Sequence, residues 1–189
     1  MNPMMNNKRF LSVLLVPSCI LAIPSAAMLL KVDGWAWDTA DFVIVGVVLA
    51  AAVATYQFVA GQAPNRVYRV AAGVAVTTGV VLLWINGAVG LIGSENNPAN
   101  LMYGGVLAIG LIGAAIARLK PLGMARALIV TAVAQFLVPV VGLIVWRPDF
   151  SPGVVQVFGL NFAFVLMFAG SALLFRQAAA ISSERTRHG

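Results

Sequence analysis

The side chains with the most capacity for chemistry lie close together. Ser94, Glu95, Asn96, Asn97 and Asn100 fall within WINGAVGLIGSENNPANLMY (84–103), where a long apolar run breaks and then resumes. One carboxylate among amides and a hydroxyl can cap helix ends, hold a polar solute by hydrogen bonds, or act as a single acid–base group. Acid–base catalysis needs a group positioned on its substrate and tuned by its neighbours, and this stretch holds no second carboxylate and no histidine. Three further amides, Asn86, Gln135 and Asn161, interrupt otherwise apolar runs. Inside a bilayer such groups either bond one helix to another or line a polar path. Together with Thr77 or Thr78 and a capping Glu95, these amides outline a polar cavity.

The remaining chemical inventory is short. The only histidine, His188, stands next to the C-terminus, and Cys19 is the only cysteine. These supply no set of zinc or haem ligands within the apolar runs, and a lone cysteine excludes an intramolecular disulfide. There is no P-loop, dinucleotide fingerprint or Ser–His pairing. The expectation is a protein without cofactor or metal and without a catalytic centre.

The elements that must position these residues follow from composition. The 189 residues are 61% hydrophobic and 10% charged, with a mean hydropathy of +0.95. A soluble domain carries about 25% charged residues, so this chain lacks the polar side chains to cover a water-facing surface. Six apolar runs, at about 10–30, 42–60, 70–92, 101–117, 127–146 and 154–175, approach the roughly 20 residues that a helix needs to cross a bilayer. A polar tail, 176–189, follows and is expected to be loosely ordered. The predicted fold is an all-α integral membrane protein, a six-transmembrane-helix bundle forming a single membrane domain. Pro17 and Pro24 predict a kinked first helix. Lys8–Arg9 followed by Ser25-Ala26-Ala27 also fits a signal peptide, so residues 1–30 read either as an uncleaved span or as a cleaved leader. Asp38 and Asp41 are N-cap candidates for the second helix.

Charge sets the orientation. Lys8, Arg9, Arg66, Arg69, Arg118, Lys120, Arg126, Arg176, Arg185 and Arg187 occupy the N-terminus, alternate connections and the tail. The other three connections hold only Lys31 and Arg147, with five of the six acids. Ten cations against two, in strict alternation, predict both termini in the cytoplasm, N-in/C-in. Trp35, Trp37, Trp84 and Trp146 then fall at or near the outer interface, where aromatic belts form. Although the net charge is +6, the basic residues sit at the ends of apolar runs. That placement orients helices and does not form a nucleic-acid footprint.

Two readings of the central break stay open. In one, GSENNPAN is a hairpin turn, with Pro98 in the first turn of the fourth helix and the asparagines satisfying nearby backbone groups. In the other, the loop enters the bundle and closes an outer cavity. Gly87, Gly90 and Gly93, at intervals of three, and Gly104, Gly105, Gly110 and Gly113 are helix-packing candidates, because small residues let helices approach closely.

Residues 84–135, from WINGAVGLIGSENNPANLMY through IARLKPLGMARAL, followed by VFGLNFAFVLMFAGSALLFRQAA (157–179), resemble a family of small bacterial multi-pass membrane proteins with no assigned activity. The resemblance covers roughly residues 35–179. It implies a bacterial cytoplasmic (inner) membrane and a core of spans three to six, and it supplies no catalytic or binding residues. Three functions are compatible with the sequence. One is a non-enzymatic packing, accessory or assembly protein, with the bilayer, further copies or other membrane proteins as partners. Another is a small channel or carrier for an uncharged or weakly charged solute. The third is a lipid-modifying enzyme using Glu95.

Overall fold

A computed structural model describes residues 3–33, 36–88, 90–93, 96–147 and 151–187. These form six helices, α1 (Pro3–Leu29), α2 (Thr39–Gly61), α3 (Arg66–Ala88), α4 (Leu101–Ile116), α5 (Pro121–Trp146) and α6 (Pro152–Arg187), with no strand among the described residues. Six segments meet the length and hydropathy needed to cross a membrane. Many of their large apolar side chains point outward, including Leu111, Ile112, Ile144 and Leu173. A helix that is apolar on its outer as well as its inner face suits a lipid environment.

The helices fall into two compact units, Met1–Gly61 and Gln62–Gly189. In the first, α1 and α2 form a hairpin bonded by Gln57 Nε2 to Ser12 Oγ at 2.7 Å. The start of α2 is closed as its acids predict. The Asp38 amide donates to Asp41 Oδ2, and the Asp41 amide to Asp38 Oδ1, both at 2.9 Å. Trp37 and Phe42 meet edge to face across this cap, ring centroids 5.3 Å apart. This is a hydrophobic staple, fixing the direction in which the chain enters the helix.

In the second unit α5 and α6 share the most extensive interface, α3 leans on α6, and α4 leans on α5. Helices α3 and α4 make limited contact and are linked near both of their ends. At one end Tyr68 Oη donates to the Leu119 carbonyl at 2.7 Å. At the other, Asn86 Nδ2 donates to the Asn100 carbonyl at 3.2 Å. Ser171 Oγ reaches across from α6 to the Ala71 carbonyl of α3 at 2.8 Å, and Tyr68 stacks edge to face on Phe175. Since lipid supplies no hydrophobic drive for helices to associate, close packing and such bonds hold a unit of this kind together. Gly110 and Gly113 provide the closest packing of α4 on α5. A Cβ at Gly113 would stand 2.8 Å from Ala127 Cβ, and one at Gly110 3.3 Å from Thr131 Oγ1.

Two expectations are corrected. Gly90 and Gly93 are not helix-packing residues: α3 ends at Ala88, and both glycines adopt positive φ, +69° and +72°. They turn the chain through a left-handed conformation that a Cβ opposes. Residues 176–187 of the polar tail are not loose but helical, because α6 runs on to Arg187. The stretch after Gly170 has no glycine or proline before Gly189 and is rich in alanine and other good helix formers. Within the basic turn after α4, Arg118 and Leu119 both adopt positive φ, 48° and 56°, a strained pair for side chains that carry a Cβ.

Candidate functional site

The described residues of the polar break, 90–93 and 96–100, are tied together beyond the end of α3 by asparagine hydrogen bonds. Asn100 is buried, and its side chain pairs with the backbone of Ile92. The Ile92 amide donates to Oδ1 at 2.9 Å, and Nδ2 donates to the Ile92 carbonyl at 3.4 Å. An amide side chain thereby imitates a strand partner for a segment that has none. Asn97 caps the 3-10 turn Pro98–Asn100, its Oδ1 accepting from the Ala99 amide at 3.0 Å. Pro98 occupies the opening turn just before α4, as expected. Leu91 and Ala99 are buried beside them. Asn97 and Asn100 satisfy local backbone, and Asn100 is buried with Ala99. Asn96 is exposed, and Ser94 and Glu95 lie outside the described residues.

A second polar group sits inside the four-helix unit. Gln135 Nε2 of α5 donates to Asn161 Oδ1 of α6 at 2.8 Å. Asn161 Nδ2 donates to Tyr103 Oη of α4 at 2.9 Å and to the Val157 carbonyl at 2.8 Å. All three side chains are 0–1% exposed. Three helices are joined through one asparagine. The Gln135 Oε1 atom has no partner among the described residues, nor does Asn86 Oδ1. Pro139, four residues after Gln135, has no N–H to give, so the Gln135 backbone carbonyl also lacks its ordinary helical donor. Thr78 and Thr131 are buried too, but each returns its hydroxyl to its own helix, at Val74 and Ala127.

One turn from this cluster lies a cavity of about 520 Å³. It opens between residues 90–93 and Asn97, the last turns of α5 and the first turns of α6. Pro139, Gly142, Leu143, Val157, Phe158 and Leu160 give it apolar walls. Its polar side chains are Asn97, Ser151 and Gln156, and Trp146 borders it where α5 ends.

The sequence-predicted residues therefore separate into distinct places. Gln135 and Asn161 meet, and Asn86, in the last turn of α3, bonds to the Asn100 carbonyl. None of Asn86, Gln135 and Asn161 lines the cavity. Gly110 and Gly113 face α5 at close range, while Gly87, Gly104 and Gly105 face open space. Tyr103, Tyr68, Asn65 and Ser171 escaped the sequence reading. A tyrosine in the first turn of an apolar helix reads as an interfacial aromatic, and only its partner on α6 reveals the inward role. Asn65, placed just before Arg66, carries a legible N-cap signal: its Oδ1 accepts from the Tyr68 amide at 3.0 Å. Compared with family models, curated proteins and solved structures, the chain matches none.

Proposed function

We propose that the chain is a multi-pass protein of a bacterial cytoplasmic membrane, with both termini cytoplasmic, that acts without catalysis as a packing, accessory or assembly protein. The observation that carries this reading is the closed Gln135–Asn161–Tyr103 cluster: the deepest polar side chains bond to one another and are sealed from solvent. Groups used in this way hold helices together and do not conduct. The open faces of Gly104 and Gly105 on α4 add a surface that another helix can approach closely. The strict alternation of cations supports the orientation.

Crosslinking in native membranes, followed by purification and mass determination, tests the proposal. The expected result is a defined homo-oligomer or a reproducible membrane-protein partner, and a chain that stays monomeric and partnerless overturns it. Orientation is checked separately with reporters fused to each terminus, both expected to be active only in the cytoplasm. A carrier for uncharged solutes would instead require Asn86, Gln135 and Asn161 to meet one water-filled space. Single cysteines at these positions, in a Cys19→Ala background, are expected to resist an impermeant thiol reagent.

A further inference from the structure

We infer that Gln135 and Tyr103 hold one buried water molecule between them, closing the polar cluster of α4, α5 and α6 into a ring. Such a site is independent of whether the chain has protein partners. The orientation of each side chain follows from its neighbour. The Val157 carbonyl can only accept, and Asn161 Nδ2 stands 2.8 Å from it. This fixes which end of the Asn161 carboxamide is nitrogen. Asn161 Oδ1 therefore serves Gln135, which must present its Nε2, at 2.8 Å. The atom of Gln135 left over is an acceptor, Oε1. Tyr103 Oη in turn accepts from Asn161 Nδ2 at 2.9 Å, so its own O–H is still to be given.

The bonds thus run head to tail, Gln135 giving to Asn161 and Asn161 giving to Tyr103. One end of the run is an open acceptor, since Gln135 Oε1 is buried and bonds to no described residue, Tyr103 included. The other end is an open donor, the Tyr103 hydroxyl. Thr131, one turn before Gln135, cannot serve Oε1, because its hydroxyl donates to the Ala127 carbonyl at 2.9 Å. Gln135 carries a second open acceptor in the backbone carbonyl that Pro139 cannot serve. A bilayer core offers no bulk solvent to satisfy such groups, and a buried acceptor left unpaired is costly. What completes the run must accept at one end and donate at the other. It must also be small, because Tyr103, Gln135 and Asn161 are 0–1% exposed. Water meets both conditions, and buried waters bond to roughly three otherwise unsatisfied polar groups. It accepts from Tyr103 and donates to Gln135 Oε1, with its second hydrogen available to the Gln135 carbonyl. Every bond in the ring then runs in one direction, and each polarises the next.

The test is a structure of the full chain, crystallised from a lipid mesophase, at a resolution that shows ordered water. The expected result is a single solvent peak at hydrogen-bonding distance, roughly 2.7–3.2 Å, from both Gln135 Oε1 and Tyr103 Oη. A Tyr103→Phe variant solved in the same way is expected to lose the peak, because it removes the side chain that donates to the water. Direct contact between the Tyr103 hydroxyl and Gln135 Oε1 overturns the inference, as does carbon packed against Oε1 with no solvent peak. A peak surrounded only by oxygens at clearly shorter distances also overturns it, by showing a cation in the site. If the peak persists unchanged in Tyr103→Phe, Tyr103 does not hold the water and the ring is disproved. The unsubstituted chain decides the matter alone should the variant fail to fold.

Discussion

Asn161 makes three hydrogen bonds, two of them to other helices. Replacing it with alanine strands Gln135 Nε2 and leaves Tyr103 Oη without its donor. Bonds between membrane helices are each worth about 0.6–2 kcal/mol, so Asn161→Ala is expected to cost about 1–3 kcal/mol in reversible unfolding from micelles. Tyr103→Phe removes one contact and should cost about 1 kcal/mol or less. Equal losses in the two variants would show that Gln135 contributes nothing to the cluster. Elsewhere, Leu119 has positive φ and a Cβ that opposes it, while its carbonyl accepts from Tyr68. Leu119→Gly keeps that carbonyl and relieves the conformation, so thermal unfolding should show a gain of about 0.5–1 kcal/mol. A loss would mean that its half-buried side chain matters more than its backbone.

At the level of helices, α4 offers a matched comparison. Gly113 faces Ala127 so closely that an added methyl must displace it, whereas Gly104 faces open space within the described structure. Gly113→Ala is therefore expected to destabilise the four-helix unit by about 1–3 kcal/mol. Gly104→Ala is expected to be neutral or to stabilise by up to about 1 kcal/mol through helix propensity. If Gly104→Ala leaves stability unchanged but abolishes crosslinking to a partner, that face is the contact surface. Much at this scale was legible: the apolar runs match the helices to within a few residues at most ends, and Asp38, Asp41 and Pro98 stand at helix starts. Gly90 and Gly93 misled because spacing by three from Gly87 is shared by a packing stripe and by left-handed turns beyond a helix end. Only the backbone conformation separates the two. The Gln135–Asn161–Tyr103 cluster was legible as polarity in apolar runs but not as pairing. Its members are 26 and 58 residues apart, and no local pattern reports contacts across that distance.

For the whole molecule, the division at Gly61–Gln62 was invisible in a composition that is evenly apolar on both sides. The interhelical bonds described for α3 to α6 all lie within that unit. Residues 62–189 expressed alone should therefore insert and unfold with a midpoint within a few degrees of the full chain, measured in the same detergent. A fall much larger than that would assign the α1–α2 hairpin a stabilising role. Charge alternation was legible because it depends on counting, whereas the boundary between units depends on which faces meet.

The length of α6 has a mechanical consequence. Its 36 residues span about 54 Å, against roughly 30 Å of bilayer hydrocarbon. The surplus is not a loose tether. Asn65, at the start of α3, grips it by donating Nδ2 to the Ala178 carbonyl at 2.9 Å and to Ser182 Oγ at 3.2 Å. The helix is thus moored to α3 at two heights, by Asn65 near its far end and by Ser171 on the Ala71 carbonyl, as a mast is held by two stays.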